Sequence, residues 1–374
     1  MRGEGSVLRR RLKAGIASAF CRSGVDRCID VLITSARTPV IVSYHRVIDD
    51  VRALAGGAIP AMLISVAMLE RQLDWIGRRF RVVSLDELAQ RLERGEEAGG
   101  PPAAITFDDG YRDVYDHALP LLERKGMPAA VFVTTGLIGT REVQLHDRLY
   151  LALVRAFRMW RSAPHDLARF LRALEIPWPG ARVVRAATSP LRAMRALFTT
   201  LPQAELHRVI DRLEAEVGVE EGAFEAHRLL SWDMVRDLHR AGIVIGSHTR
   251  THALLTNETA ATVREETAGS RRELEGQLGV PVRHFAYPDG RFDPGAVRAV
   301  AAAGYRLAFT TCRHRDRERP MLTIPRTLLW ERSSVDGEGR FSPAIMSCQV
   351  RGVFDLVAGC RERHDRAAAD HPAA

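Results

Sequence analysis

Ala103-Ala104-Ile105-Thr106-Phe107-Asp108-Asp109-Gly110 is a short apolar run that ends in two carboxylates and a glycine. A Gly/Pro break at 99–102 precedes it, so it reads as a buried strand that stops at a turn. The pattern repeats on both sides. Upstream, Val40-Ile41-Val42-Ser43-Tyr44 is a β-branched strand ending at His45, followed by a helical spacing over 68–80 (Leu69, Leu73, Ile76). A short strand at Val82-Val83 precedes a helix over 86–92 that Ser84 is placed to cap. Downstream come a helix over 115–125 closed by Gly126, a strand over 129–133, a helix from Ser231 to Gly242, and a strand over 243–247 with His248 just past it. A polar helix over 260–278, strands over 282–287, 307–311 and 322–328, and a helix over 294–303 complete the series. Strands alternating with helices define an α/β fold with a parallel sheet or barrel.

The alternation is interrupted once. From about 141 to 228 the chain is rich in Ala, Leu, Arg and Glu, with few β-branched runs, and is expected to be a helical insertion. Residues 1–37 form a separate N-terminal segment in which Leu8, Leu12, Ile16 and Phe20 recur every four residues beside Arg9, Arg10 and Arg11. That stripe predicts an amphipathic helix. It packs on the protein or lies on an anionic membrane surface; a weak signal peptide is the alternative reading. The body is expected over 38–360, with a polar, disordered tail over 361–374.

The chain has 374 residues, 46% of them apolar and 27% charged, which excludes a mainly disordered, collagen-like or multi-span membrane protein. The net charge is +8, but only Lys13 and Lys125 are lysines. Arginine beside abundant alanine points to a GC-rich coding bias, not a nucleic-acid surface. Five cysteines without a CxxC pair argue against a disulfide framework and for a reducing compartment, hence a cytoplasmic location, peripheral to the membrane if the N-terminal stripe binds it.

Polar groups collect at strand ends: His45, Asp108, Asp109, His248 and Tyr287. In a β/α barrel those ends converge on one face. Two adjacent carboxylates are costly unless a cation or proton separates them, so one is placed to bind a metal while its neighbour acts as base. His248 and His252, in Ser247-His248-Thr249-Arg250-Thr251-His252, would share a face if the chain turns helically there. With a strand-end Asp they make a two-histidine, one-carboxylate set suited to Zn²⁺, with Co²⁺, Ni²⁺ or Fe²⁺ as other options.

Thr106-Phe107-Asp108-Asp109-Gly110 resembles the first motif of the polysaccharide deacetylases, the group with the NodB homology domain (carbohydrate esterase family four). Ser247 to His252 resembles its second motif. Phe285-Ala286-Tyr287-Pro288-Asp289-Gly290 is similar to the third in the branch that carries F-A-Y-P-x-G. The resemblance covers roughly 39–137 and 229–330 and implies a distorted (β/α)₇ barrel. It also implies a metal held by Asp109, His248 and His252, with Asp108 as general base and the backbone N–H near Tyr287 helping to stabilise the oxyanion. Ser43-Tyr44-His45-Arg46-Val47 is similar to the Y-H motif of the poly-N-acetylglucosamine deacetylase branch, which implies that His45 is the general acid.

There are departures. The usual R-x-P-Y arginine is missing, leaving Arg283 and Arg326 as the candidates to contact Asp108. The late Asp-Trp and Leu-x-His motifs are missing too. His146, beside Asp147, is expected to be a cap or surface residue. The implied activity is metal-dependent removal of N-acetyl groups from amino sugars of a glycan or glycolipid, without a nucleic-acid partner. Hydrolysis of a cyclic amide or imide, and a catalytically silent carbohydrate-binding module, are the competing readings.

Overall fold

Three β-branched residues open Val40–Tyr44 (β1), and the whole run is extended. The computed structural model describes residues 39–95, 102–176 and 187–354. After β1 come β2 (Arg46–Ile48), β3 (Leu63–Ser65), β4 (Arg81–Val82), β5 (Pro102–Phe107), β6 (Ala130–Val133), β7 (Val244–Ser247), β8 (His284–Ala286), β9 (Leu307–Thr310), β10 (Ile324–Pro325) and β11 (Thr327–Leu328). The main sheet runs β10-β9-β8-β7-β6-β5-β1-β11, every pair parallel, with β4 against the start of β5. The strand expected over 322–328 is broken at Arg326. Its first half pairs with β9 and its second with β1, so one extended run joins the two ends of the sheet. Counting that run once gives seven strand positions, and the fold is a distorted (β/α)₇ barrel.

Alternation sets what fills the ring. Ile41, Ala104, Ala130, Phe132, Ala286, Leu307, Phe309 and Ile324 form one buried cluster with Leu85, Leu88 and Ala89 of the helix Leu85–Arg94. The small alanines leave room for the Phe132 and Phe309 rings, whose centroids lie 5.6 Å apart. The other side of the strands, including Val42, Ile105, Phe107, Val131 and Phe285, packs in a second cluster with the surrounding helices. Two residues beyond Ile41 and Ala104, the same faces carry Ser43 and Thr106, so the apolar filling stops where the carboxylates begin.

The interruption is helical: Leu145–Met159, Ala163–Ala173, Pro190–Phe198 and Gln203–Val217, then a 3₁₀ segment, Glu221–His227. These helices bury a core of their own around Leu149, Leu153, Leu171, Leu197, Val209 and Leu213. Ile59 and Leu254, from loops of the barrel, join it.

Two features depart from expectation. β2 and β3 pair as a small parallel sheet outside the ring. Both helices flanking the metal motifs contain a π-helical turn, at Val114–Ala118 and Glu265–Gly269. Such turns gather at functional sites. The N-terminal stripe and the tail over 361–374 lie outside the described residues. Among the described residues, no helix is long and apolar enough to cross a membrane.

Candidate active site

Asp108 follows β5 directly, and its N–H donates to the Tyr44 carbonyl at 2.9 Å. Its carboxylate is buried. Arg326 grips it with two hydrogen bonds of 2.7 Å, one from each terminal nitrogen, and Ser43 Oγ adds a third at 3.1 Å. Arg326 Nη1 also donates to Thr106 Oγ1, which in turn donates to the Val42 carbonyl. Burial alone would raise the Asp108 carboxyl. The facing Arg326 guanidinium, joined by His248 and His45, outweighs burial and holds it below the ordinary value.

The arginine question is thereby answered by position. Arg283 precedes β8, so it stands at the opposite end of the barrel from the strand termini. It is half exposed and lies 3.7 Å from Asp86. Arg326, at the break between β10 and β11, faces Asp108; Arg283 does not.

Asp109 and Gly110 both take left-handed backbone angles, φ 71° and 74°. Asp is among the few residues that tolerate that region, and a side chain at Gly110 would press on Val133 and Ile138. The tight turn swings the second carboxylate toward β7. His252 Nε2 lies 3.1 Å and His248 Nε2 3.5 Å from Asp109 Oδ1. The three donor atoms all fall within 4.8 Å of one another. Neither oxygen of this fully buried carboxylate has a well-directed hydrogen bond, a costly state without a cation. His248 Nδ1 sits 2.7 Å from the Ala286 carbonyl, which aims Nε2 into the cluster as metal-binding histidines require. One buried carboxylate without a directed hydrogen bond and two buried imidazoles beside it fit a divalent cation of the zinc type. Burial pushes His248 down to about 4, leaving it a neutral donor at neutral pH. Burial would also lower His252, but Asp109 raises it.

The two histidines do not converge by a helical turn. Thr249 and His252 are both left-handed, φ 68° and 61°, and the segment is a loop. Glu266, in the second π-helical turn, holds that loop. Its Oε2 accepts from the N–H groups of Arg250 (2.8 Å) and Thr251 (3.0 Å), and its Oε1 from Thr251 Oγ1 (2.7 Å). On the other side Thr135 and Gly136 donate to the Thr249 and Arg250 carbonyls. A Cβ at Gly136 would stand 2.9 Å from that Arg250 oxygen, so only glycine allows the approach.

His45 Nε2 is 3.9 Å from Asp109 Oδ2, and both residues line the cavity that holds the cluster. Tyr287 lines it too. However, its N–H donates to the Phe309 carbonyl at 3.0 Å, and its ring packs against Phe285 and Phe292. The Tyr287 amide is therefore committed to the sheet and is not a free oxyanion donor.

His146 is neither a cap nor a surface residue. It is buried, with Nε2 3.9 Å from Asp109 Oδ2 and 3.0 Å from the Tyr111 hydroxyl. Tyr111 donates to Asp147 Oδ2 at 2.6 Å, and His227 Nδ1 lies 3.1 Å from the same oxygen. Asp147 and His227 stand at the two ends of the insertion, so this buried network ties both ends to the first motif. The only sign in the sequence was the His-Asp pair itself, set among helically spaced leucines (Leu145, Leu149, Leu153). Its partners lie too far along the chain to be read locally.

Buried carboxylates and imidazoles at the strand ends of a barrel make an enzyme-type site. The polysaccharide deacetylase family model matches residues 95–169 and 195–308, just over half of the chain, and the chain belongs to that family. No curated protein matches it. Among solved structures it is similar to the deacetylase PplD of Streptococcus pyogenes in complex with acetate. That match has 16% identity and a TM-score of 0.51, and covers 81% of this chain and 95% of that one. It is also similar to IcaB from Ammonifex degensii, with 20% identity and a TM-score of 0.50, covering 84% and 97%. At these identities the likeness is one of fold.

Proposed function

We propose that the protein is a cation-dependent deacetylase that removes N-acetyl groups from amino sugars of a polysaccharide or glycolipid. The observation that carries this reading is the side-by-side placement of the Asp108–Arg326 pair and the buried Asp109–His248–His252 cluster in one cavity. Asp109, His248 and His252 would hold the ion; zinc suits the donor set, with cobalt and nickel as substitutes. A bound divalent cation supplies Lewis acidity: it lowers the pKa of water and polarises an acyl carbonyl.

The chain's own residues divide the proton work. Asp108, kept ionised by Arg326, accepts the proton of the attacking water. Arg326 and Ser43 fix the plane of that carboxylate, so the acceptor lone pair has one orientation. His45, on the Oδ2 side of Asp109, delivers a proton to the departing amine nitrogen. The test is acetate release from N-acetylglucosamine oligomers and a lipid-linked N-acetyl sugar, beside ring opening of a cyclic imide, each with and without added Zn²⁺, Co²⁺ or Ni²⁺. The expected result is cation-dependent acetate from at least one sugar, lost in Asp109→Ala and His248→Ala. Turnover of the imide alone would replace this reading with the small cyclic amide.

A further inference from the structure

The cavity above the cluster is about 260 Å³, below the roughly 300–1,000 Å³ typical of sites for drug-sized ligands. One wall does not come from the barrel. Leu191, Met194 and Phe198 of the insertion helix Pro190–Phe198 face it, with Ile59 and Met62 beside them. Phe198 comes closest to the chemistry, its ring centroid 5.7 Å from His252 and 6.0 Å from His146. The wall is rigidly mounted. Met194, Leu197 and Phe198 belong to the insertion's own core, which Ile59 and Leu254 tie to the barrel. The Tyr111–Asp147–His227 network anchors both ends.

We infer that the insertion sets which acyl group the enzyme accepts, with Phe198 and Met194 closing the acyl end of the site. The inference rests on the deacetylase reading and deepens it. At the carbonyl carbon the nitrogen and the acyl tail diverge at about 120° by trigonal geometry. With the nitrogen turned to His45, the tail is left to the rest of the cavity wall, where Phe198, beside His252 and His146, stands nearest the cluster. Met194 and Phe198 offer hydrocarbon and ring there, which suit a methyl and crowd a longer chain; Arg195 and Thr199 line the same side of the cavity. A buried apolar wall of this kind discriminates by about 10–200-fold per methylene.

The experiment uses the full-length protein with Zn²⁺ and 4-nitrophenyl acetate, propionate and butyrate, whose leaving group needs no acid. The wild type is expected to prefer acetate. In Phe198→Ala and Met194→Ala the butyrate-to-acetate ratio of kcat/KM should rise by about tenfold or more. Phe198→Leu, a milder change that spares folding, should show a smaller rise. The ratio does not depend on the fraction of folded enzyme. Inhibition by free butyrate relative to free acetate should strengthen in parallel. Cation-dependent turnover with unchanged ratios in all three variants would overturn the wall and leave the deacetylase reading standing. Absence of cation-dependent acyl turnover in the wild type, on these esters and on the N-acetyl sugars alike, would overturn both.

Discussion

Asp108 accepts two 2.7 Å hydrogen bonds from a buried arginine, and that pairing governs what its replacement should do. Asp108→Asn keeps the size but removes the charge. The Asp109–His248–His252 set is untouched, so cation content should stay at the wild-type level. Turnover should drop by about 10²–10⁴-fold, the usual contribution of a general base. Arg326 would be left as an uncompensated buried charge, so stability should fall by about 3–5 kcal/mol. Elemental analysis, acetate release and thermal melts check the three parts; near-normal turnover with cation bound would remove Asp108 from the role. His45 makes a different demand. In His45→Ala, hydrolysis of an N-acetyl amide should fall sharply, while an ester with a good leaving group should be nearly spared. Equal losses on both substrates would show that His45 does not act as the acid.

At the scale of elements, the loop over 248–252 depends on an acceptor that lies in another helix. Glu266 satisfies two backbone N–H groups and one hydroxyl of that loop. Glu266→Gln loses the charge and one acceptor oxygen, so the left-handed turn that presents His252 should loosen. Cation affinity, measured by competition with a chelator, should fall by about tenfold, as it does for supporting residues around metal ligands. Unchanged affinity would detach Glu266 from the loop's geometry. A second element-level prediction concerns the stripe Leu8, Leu12, Ile16 and Phe20. Removing residues 1–33 should abolish binding to vesicles rich in anionic lipid while leaving acyl hydrolysis in place. Sedimentation with vesicles decides it, and equal binding by both forms would refute a membrane role.

For the whole molecule, the buried polar centre couples stability to pH. Burial pushes both His146 and His248 down to about 4, from an ordinary value near 6.5. Between those values the unfolded chain binds protons that the folded chain refuses. Stability therefore rises with pH across that window and is lost as pH falls through it. Asp109 and Asp147 act with the same sign lower down. Burial alone would raise each, yet imidazoles, chiefly His252 for Asp109 and His227 for Asp147, hold both below the ordinary carboxyl value. Their stabilisation is complete above the unfolded value and disappears in stronger acid. The melting temperature of chelator-treated protein should fall steadily from pH 6.5 to 4, and His146→Gln should flatten that slope. A pH-independent melt across the window would contradict a buried, neutral His146. Added Zn²⁺ should raise the melting temperature more near neutral pH than in acid, where protons compete for its ligands.

Strand ends, turn residues and helix caps are local. For that reason the β/α alternation, the Asp108-Asp109-Gly110 turn and the His248/His252 spacing were legible in the chain before any folding was considered. Arg283 could have been set aside on the same grounds, because it stands at the start of the strand expected over 282–287 while the site lies beyond the strand ends. The rest is long-range. Arg326 is 218 residues from Asp108, and only closure of the ring by the 324–328 run brings them together. The 248–252 turn is a left-handed loop, not a helix, because its carbonyls and amides are bonded by Thr135, Gly136 and Glu266 from other elements. His146 became a buried neighbour of Asp109, and Phe198 a wall of the cavity, because the insertion folds back over the strand ends. Periodicity shows that a helix has an apolar face, but which surface that face covers is settled by packing alone.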